Sequence, residues 1–165
     1  MKKIVVYFPF MLVTLFVGAC QQHQGFSTLE RTENLYRVYA ERSDFERFLD
    51  FYADEMVLED PILGQRIVGR EAFRDFFDWP NPSFRKLQEE ALIVDKIMVD
   101  GRESVVIGHF TPFQWAESTI ESMHFTTLLV FDQQGKIIKQ TDWINYPNNL
   151  LNYETRKNSN AWIVQ

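Results

Sequence analysis

The sequence contains few of the residues that build disulfides, metal centres or phosphate sites. Its 165 residues include one cysteine, Cys20, and three histidines, His23, His109 and His124. A single cysteine excludes an internal disulfide framework and a thiolate metal site. The histidines are scattered and lack a helical His-x-x-x-His pattern or paired acids at ligand spacing, so we predict no metal and no other cofactor. A glycine-rich phosphate loop is also missing.

An excess of basic residues is missing as well. The chain has 17 lysines and arginines against 23 aspartates and glutamates, which gives a net charge of −6 at pH 7. Such a surface repels nucleic acid and anionic lipid headgroups. We therefore predict no nucleic-acid partner and no electrostatic binding to a membrane surface.

The one long hydrophobic run lies at the N-terminus. Lys2 and Lys3 precede an apolar run over residues 4–17, which is too short and wrongly flanked for a spanning helix. Val17-Gly18-Ala19-Cys20 follows and resembles the bacterial lipobox, whose cysteine is lipidated. We predict a signal peptide at 1–19 and a lipidated Cys20 with its tether at 20–26. The alternative is a signal-like helix with an incidental cysteine. Gln21, in place of aspartate, resembles the pattern for anchoring in the outer membrane, facing the periplasm.

Aromatic residues are abundant, with 15 phenylalanines, 6 tyrosines and 4 tryptophans. They are ample material for a single apolar core, which we place in one domain at 27–158, followed by a tail at 159–165. Two capping patterns, Ser27-Thr28-Leu29-Glu30 and Ser43-Asp44-Phe45-Glu46, predict two successive helices. The first ends near Glu41, and the second is expected to continue through Phe51, Tyr52 and Met56.

The stretch after the second helix places an acid on a stiff turn. Val57–Glu59 is predicted to be extended, and Asp60 directly precedes Pro61, which biases the aspartate toward extended backbone and stops regular structure. A third helix starts at Arg70 and carries Phe73 on its apolar side. Asp60 is therefore an acid surrounded by apolar residues.

The second half of the chain predicts a sheet. Residues 91–99, 104–115, 119–131 and 136–146 are rich in valine, isoleucine, phenylalanine and threonine, and short polar connections separate them. Four such runs predict an antiparallel meander. Helices first and strands after give an α+β fold, with the helices packed on one face of a curved antiparallel sheet.

Several of these motifs together resemble a known superfamily. The run Tyr52-Ala53-Asp54-Glu55, then Glu59-Asp60-Pro61, then Gly69-Arg70-Glu71, and late in the chain Phe131-Asp132-x-x-Gly135-Lys136-Ile137, is similar to nuclear transport factor 2-like proteins. The SnoaL-like proteins and ketosteroid isomerases are the nearest branches. The resemblance implies a cone-shaped fold, in which helices close over a bent sheet and enclose an apolar pocket.

The same resemblance implies candidate catalytic residues. The general base of the isomerases corresponds to Asp60, and their oxyanion-stabilising tyrosine to Tyr36. Their second oxyanion donor, a protonated aspartic acid, corresponds to Thr127, whose hydroxyl is a poorer stabiliser. Asp142 resembles the late-strand acid of the SnoaL-like polyketide cyclases. The limonene-epoxide-hydrolase branch needs an arginine and an aspartate two residues apart on one strand, and residues 122–127 contain neither.

Strand alternation extends this list to a ligand-binding set. If Thr127 points inward, Phe125 and Leu129 do so too, while His124 points outward. Ile144 corresponds to a pocket-lining tryptophan of the isomerases, which would place Asp142 and Tyr146 on the inner face. The predicted ligand-binding residues are Phe73, Phe125, Thr127, Leu129, Ile144 and Tyr146.

Structural explanations remain open for each candidate. Asp60 could simply cap its turn, Tyr36 could be a core residue, and Asp142 could be a structural acid. His109 could pair with Asp142 as a base or be a satisfied or exposed histidine.

Three functions fit these observations. The first is a lipid-anchored protein that binds a small apolar or aromatic molecule in an internal pocket. The second is a cofactor-free isomerase or cyclase that uses Asp60 to move a proton. The third is a non-catalytic interaction module or homodimer formed through the outer sheet face, which we expect to carry Trp115, His124, Thr126 and Leu128.

Overall fold

The computed structural model describes residues 26–147. The predicted signal peptide, Cys20, His23, nearly all of the tether and the C-terminal tail lie outside these residues and stay predictions. No helix within residues 26–147 is long and apolar enough to cross a membrane. The elements are helices α1 (Thr28–Glu41), α2 (Phe45–Leu49) and α3 (Arg70–Phe77), and strands β1 (Tyr52–Asp60), β2 (Gln65–Val68), β3 (Phe84–Lys86), β4 (Leu92–Asp100), β5 (Glu103–Phe110), β6 (Phe113–Trp115), β7 (Ser118–Ile120), β8 (Met123–Phe131) and β9 (Ile137–Ile144).

The start of α1 agrees with its capping pattern, and α2 starts one residue later than its pattern predicts, because Asp44 and not Ser43 is its N-cap. The Ser27 hydroxyl accepts a hydrogen bond from the Glu30 amide, and the Asp44 carboxylate accepts one from the Arg47 amide. These bonds satisfy amides that lack a partner in the first turn of a helix. Helix α1 is followed directly by its C-cap, Arg42, whose backbone is in the left-handed region with a φ of 51°.

The predicted second helix is too long. Helix α2 ends at Leu49, and Tyr52–Asp60 is strand β1. Tyr52 and Met56 are four residues apart, which matches helical spacing, but this even spacing also places two strand residues on one face. Both side chains are buried, together with Leu58 and Asp60 further along the strand. Pairing with β9 selects the strand, because it satisfies the backbone of this segment.

The large sheet contains the predicted meander and two further strands. Its order is β2-β1-β9-β8-β5-β4, and the contiguous strands β4, β5, β8 and β9 pair antiparallel as expected. Strand β1 runs parallel to β9, and β2 pairs with β1 as an antiparallel hairpin. The sheet is therefore mixed, and not purely antiparallel.

A second, three-stranded sheet has the order β3-β6-β7 and was not predicted. It forms because two of the predicted long strands are divided. Pro112, which lacks an amide donor, lies between β5 and β6, and Glu121-Ser122 separates β7 from β8. This small sheet lies at one end of the large one and contributes side chains to the cavity described below.

Helix α1 is fixed on the inner face of the large sheet by buried polar contacts as well as by apolar packing. The Thr28 hydroxyl donates to the Gly101 carbonyl at 2.8 Å, and the Thr32 and Ser104 hydroxyls are 2.9 Å apart. Leu35 and Val38 on the same helix are buried in the core. The helix is thereby held along the sheet, with Tyr36 and Tyr39 facing the cavity.

Candidate functional site

A cavity of about 360 Å³ lies between α1, α3, the inner face of the large sheet and the small sheet. Aromatic side chains form half of its wall, and the polar side chains that face it are few. The lining residues are Tyr36, Tyr39, Arg42, Leu58, Asp60, Phe76, Phe77, Phe84, Ala91, Phe110, Phe113, Trp115, Ile120, Met123, Phe125, Thr127, Gln140, Asp142, Ile144 and Tyr146. This size and lining are typical of a small-molecule site.

Asp60 faces this cavity from the last position of β1, with 4% of its surface exposed. Its Oδ1 accepts hydrogen bonds from the backbone amides of Ile62 and Leu63, both at 2.9 Å. Its Oδ2 accepts from the Tyr146 hydroxyl at 2.5 Å. Asp60 thus caps the turn at Pro61 with one oxygen and borders the cavity with the other.

The phenol that contacts Asp60 belongs to Tyr146. Burial raises the pKa of Tyr146 well above its ordinary value, and the hydrogen bond to Asp60 raises it further. The tyrosine is therefore a neutral donor at any physiological pH. Tyr36, the phenol that the resemblance marks on the first helix, lies beside Thr127 and Phe125.

Asp142 forms a second buried acid centre on β9. Its Oδ1 accepts from the Thr127 hydroxyl at 2.6 Å, and its Oδ2 accepts from the Gln140 amide at 2.8 Å. The Gln140 carbonyl oxygen accepts in turn from the Tyr52 hydroxyl at 2.8 Å, which fixes the orientation of the amide. All four side chains are buried, and three of them, Thr127, Gln140 and Asp142, line the cavity.

Burial sets the protonation of Asp142. Removal from water raises its pKa from 3.8 to about 6, the hydrogen bonds from Thr127 and Gln140 oppose this, and the nearby Asp60 adds to it. A carboxyl with this pKa is present in both forms near neutral pH. It can therefore accept or donate a proton with little cost.

Tyr36 lies on α1 opposite β8, with its ring stacked on Phe125 at a centroid distance of 5.8 Å. Burial raises its pKa well above the ordinary value, Asp142 raises it further, and a hydrogen bond with Thr127 lowers it. Tyr36 is thus a neutral phenol connected through Thr127 to Asp142. The structure brings together three residues that the sequence marked separately.

Most of the predicted ligand-binding residues lie on the cavity wall, with two corrections. Phe125, Thr127, Ile144 and Tyr146 line it, as strand alternation predicted. Leu129 does not reach it and is fully buried in the core. Phe73 is also fully buried in the core, 4.3 Å from the Tyr52 ring between centroids. Helix α3 presents Phe76 and Phe77 to the cavity instead.

The structure decides between the two alternatives for His109 and corrects one prediction about the outer sheet face. His109 pairs with Asp95, at 3.5 Å from its Nδ1, and its ring packs against His124, which agrees with a histidine that is satisfied away from Asp142. Trp115 is part of the small sheet and lines the cavity, so it is not on the outer face. His124 is exposed there, and Thr126 and Leu128 are half-buried. Their use in a dimer stays a prediction.

Sequence reasoning missed the part of the wall that surrounds Tyr39 and Arg42. Tyr39 is stacked on Trp79, at a centroid distance of 5.7 Å, and Phe84 and Phe113 from the small sheet complete this region. The available signal was the spacing of Tyr36 and Tyr39 on one helix. The small sheet itself gave no signal, because its strands are only three residues long.

The arrangement offers two hydrogen-bonded carboxyl groups and two neutral phenols on the wall of an apolar hollow. Within residues 26–147, no group of three His, Cys, Asp or Glu side chains is placed to hold a metal ion. The chemistry that these side chains can themselves supply is hydrogen bonding to an oxygen of a bound molecule and proton transfer by Asp142 or Asp60.

Comparisons with known proteins identify the family. The model of the SnoaL-like domain matches residues 32–140. Similar solved structures include a candidate SnoaL-like polyketide cyclase from Shewanella denitrificans, with a TM-score of 0.61, 14% identity and coverage of 72% of this chain and 90% of that one. A candidate ketosteroid isomerase from Kribbella flavida has a TM-score of 0.56 and 19% identity, over 73% of this chain and 78% of that one. An LEH-like epoxide hydrolase from M. tuberculosis has a TM-score of 0.58 and 14% identity, over 72% and 82%.

A search of curated proteins finds no match. At the identities above, the solved structures establish the fold and not a reaction. Because the family match spans residues 32–140, the chain belongs to the SnoaL-like family of nuclear transport factor 2-like domains.

Proposed function

We propose that this protein binds a small apolar or aromatic molecule in the cavity. The observation that carries the proposal is the composition of the wall: ten aromatic side chains surround about 360 Å³, with carboxyl, amide and hydroxyl groups gathered at one part of it. Such a wall favours a flat apolar body, and the polar groups orient a single oxygen or nitrogen function.

Mass spectrometry of the protein purified from its own host tests this proposal. We expect a retained organic molecule that is released by denaturation and is absent from a variant with a filled cavity. Absence of any such molecule, combined with failure of aromatic probes to bind the purified protein, would contradict the proposal.

A second candidate function is proton transfer on the bound molecule. It is favoured by Asp142, whose pKa of about 6 suits a general base or acid near neutral pH. In this mechanism a carboxylate takes a proton from a carbon next to a carbonyl, the enolate oxygen accepts a hydrogen bond from Tyr36, and the proton returns to the product. Asp60 shares the cavity and is the alternative base.

Exchange of the bound molecule's carbon-bound hydrogens in heavy water tests the second function. Catalysis predicts that exchange is fast with the wild type and slow with Asp142→Asn or Asp60→Asn, while both variants still bind. The variant that stops exchange identifies the base. Exchange at the same rate in all three proteins would exclude a catalytic role for both acids.

We also propose that Cys20 anchors the protein in the outer membrane. The support is the lipobox-like run that ends at this cysteine, the only one in the chain. Growth with an alkyne-labelled fatty acid should label the wild type and not Cys20→Ala. Labelling of both proteins would show that the lipid is attached at another residue. Labelling of neither would contradict the proposed lipid anchor.

A further inference from the structure

Among residues 26–147, Arg42 is the one cationic side chain on the cavity wall. It follows α1 directly and is half-buried, with its guanidinium carbon 3.9 Å from the centroid of the Phe84 ring and 5.0 Å from that of Trp79. Phe84 lines the cavity as well. The guanidinium is therefore held flat against aromatic rings at the edge of the binding site.

The guanidinium of Arg42 has no hydrogen-bond acceptor among residues 26–147. Its Nε is shut off from solvent and unpaired, and the two terminal nitrogens also make no bond within this part of the chain. Of the three guanidinium nitrogens of Arg42, only Nε is both buried and unpaired. The two terminal nitrogens are also unpaired, so they must keep some solvent-accessible surface. Burial lowers the pKa of Arg42, and Tyr39 and Asp78 oppose this in part, but Asp78 forms no ion pair with it.

The other half-buried arginines of the described region all have partners. Arg31 donates to the Gly135 carbonyl, Arg70 pairs with Asp54 at 2.5 Å, and Arg74 pairs with Glu46. The chain has 23 acidic residues, so carboxylates are plentiful. A partly desolvated guanidinium without an acceptor costs free energy, and such a cost is common where an external ligand supplies the missing group.

The backbone adds a second cost at the same position. Arg42 has a φ of 51°, in the left-handed region where glycine is the usual residue at a helix C-terminus and where a residue with a Cβ is strained. The sequence therefore keeps a long cationic side chain at a position that suits glycine. Stacking on two aromatic rings explains part of the preference for arginine over glycine at this position. It does not use the five N–H donors of the guanidinium.

We propose that Arg42 binds a carboxylate carried by the cavity's ligand. This inference rests on the proposed function, because it names the chemical class of the molecule bound there: an aromatic or alicyclic acid. A carboxylate is planar and matches the fork of a guanidinium through two parallel hydrogen bonds. The terminal nitrogens are the donors that remain for this contact.

The position of Arg42 also sets the orientation of the ligand. Tyr36, which lies beside Thr127 and Asp142, precedes Arg42 by six residues on α1, which corresponds to about 9 Å along a helix. The carboxylate end of the ligand therefore lies away from the two acids, near Phe84. The apolar body passes Tyr39, and the opposite end reaches the Asp142 and Asp60 carboxyl groups.

Calorimetric titration with two matched probes tests the inference. Naphthoate carries a carboxylate, and methyl naphthyl ketone has nearly the same shape without the charge. At a pH slightly above neutral, we expect the wild type to bind naphthoate roughly ten to a hundred times more tightly, as is typical of charge-assisted hydrogen bonds. Arg42→Met should bind the two probes alike, and Arg42→Lys should keep part of the preference. Arg85→Met, which changes an exposed arginine outside the cavity wall, should keep all of it.

The outcomes separate this inference from the proposed function. Equal binding of the two probes by the wild type would overturn the role of Arg42 and leave the pocket intact. Persistence of the acid preference in Arg42→Met would overturn it too. If neither probe binds the wild type, this inference is overturned, and the proposed function fails with it where the purified protein also retains no molecule from its host. Should Arg42→Met not fold, the wild type and Arg42→Lys still decide.

Discussion

Two carboxyl groups face one cavity, and their hydrogen-bond partners make them chemically different. Asp60 accepts hydrogen bonds from two backbone amides and from one phenol. Asp142 accepts hydrogen bonds from one hydroxyl and one side-chain amide. These bonds lower its pKa, but burial raises the pKa by more. The backbone bonds tie Asp60 to the turn at Pro61, whereas the raised pKa of Asp142 makes it the stronger candidate for proton transfer.

The raised pKa of Asp142 predicts a specific pH dependence of stability. Its pKa is 3.8 ordinarily and about 6 in the folded protein. The neutral form is favoured by folding, so this contribution to stability is fully present below about pH 4 and is lost as the pH rises through 6. Its size is about 3 kcal/mol, since each pKa unit corresponds to about 1.4 kcal/mol.

Urea unfolding between pH 4 and pH 8 measures this contribution as the difference between the wild type and Asp142→Asn. The free energy of unfolding of the wild type should fall relative to the variant as the pH rises. Glu117→Gln, which alters an exposed acid, serves as the control and should not change the pH dependence. A wild-type to Asp142→Asn difference that is constant over this range would show that Asp142 is not perturbed.

The hydrogen bonds of Asp60 predict that two substitutions will separate the effect of its negative charge on stability from the effect of its hydrogen-bond acceptors. Asparagine keeps an oxygen for the Ile62 and Leu63 amides, whereas alanine removes every acceptor and leaves two backbone donors unpaired. We expect Asp60→Ala to cost about 2–3 kcal/mol in the free energy of unfolding and Asp60→Asn less than about 1 kcal/mol. Chemical denaturation checks both values. An equal loss in the two variants would mean that the negative charge, and not the turn, is what matters.

At the scale of the elements, the close packing of strands β5 and β8 depends on Gly108, which leaves room for the Phe125 ring. Gly108 pairs with Phe125, and a Cβ added at Gly108 would lie 2.3 Å from the Ile93 carbonyl oxygen and 2.7 Å from the Phe125 ring. Phe125 in turn stacks on Tyr36. The position of this tyrosine in the site thus depends on a missing side chain two strands away from Asp142.

Gly108→Ala should therefore damage both the fold and the site. The new methyl group meets a backbone oxygen, which cannot move easily, and displaces Phe125 toward the cavity. We expect a loss of about 3 kcal/mol in the free energy of unfolding together with weaker binding of aromatic probes. Gly101→Asn is a suitable control, because an added Cβ there meets nothing within 4 Å and asparagine tolerates a φ of 57°. Unchanged stability in Gly108→Ala would mean that the strands separate easily at this point.

Elements that depend on local patterns could be predicted from the sequence, and those that depend on distant pairing could not. The cap at Ser27 and the alternation along β8 are local, and both are confirmed. Tyr52 and Met56 fit a helix and a strand equally well, so only pairing with β9 decides between them. Asp60 and Asp142 could be nominated from motif positions, but the contact of Asp60 with Tyr146 and the placement of Arg42 depend on how the chain closes.

At the scale of the whole molecule, the fold leaves a hollow where most small domains have a solid core. Phe48, Phe73 and Phe131 are core side chains that do not line the cavity, whereas Leu58 and Phe125 belong both to the core and to the cavity wall. Empty apolar space costs stability, because its lining atoms lack partners on one side. A bound molecule that fills it should therefore stabilise the protein by mass action.

Filling the cavity from the protein side separates binding from folding. Ile144 lines the hollow on β9, and tryptophan at this position would extend a large ring into it. Because the space is already present, Ile144→Trp should keep or raise the free energy of unfolding while it abolishes binding of naphthoate and of any retained ligand. Ile138→Trp places the same ring on the same strand at an exposed position that does not line the cavity, so it should leave binding unchanged. Thermal unfolding and calorimetric titration of the two variants give both quantities. If Ile144→Trp still binds with wild-type affinity, the ligand occupies another surface and the cavity is only a defect in packing. If Ile144→Trp unfolds while Ile138→Trp does not, the cavity wall is too rigid to accept a larger side chain. The shape of the cavity is then set by the protein and not by the ligand.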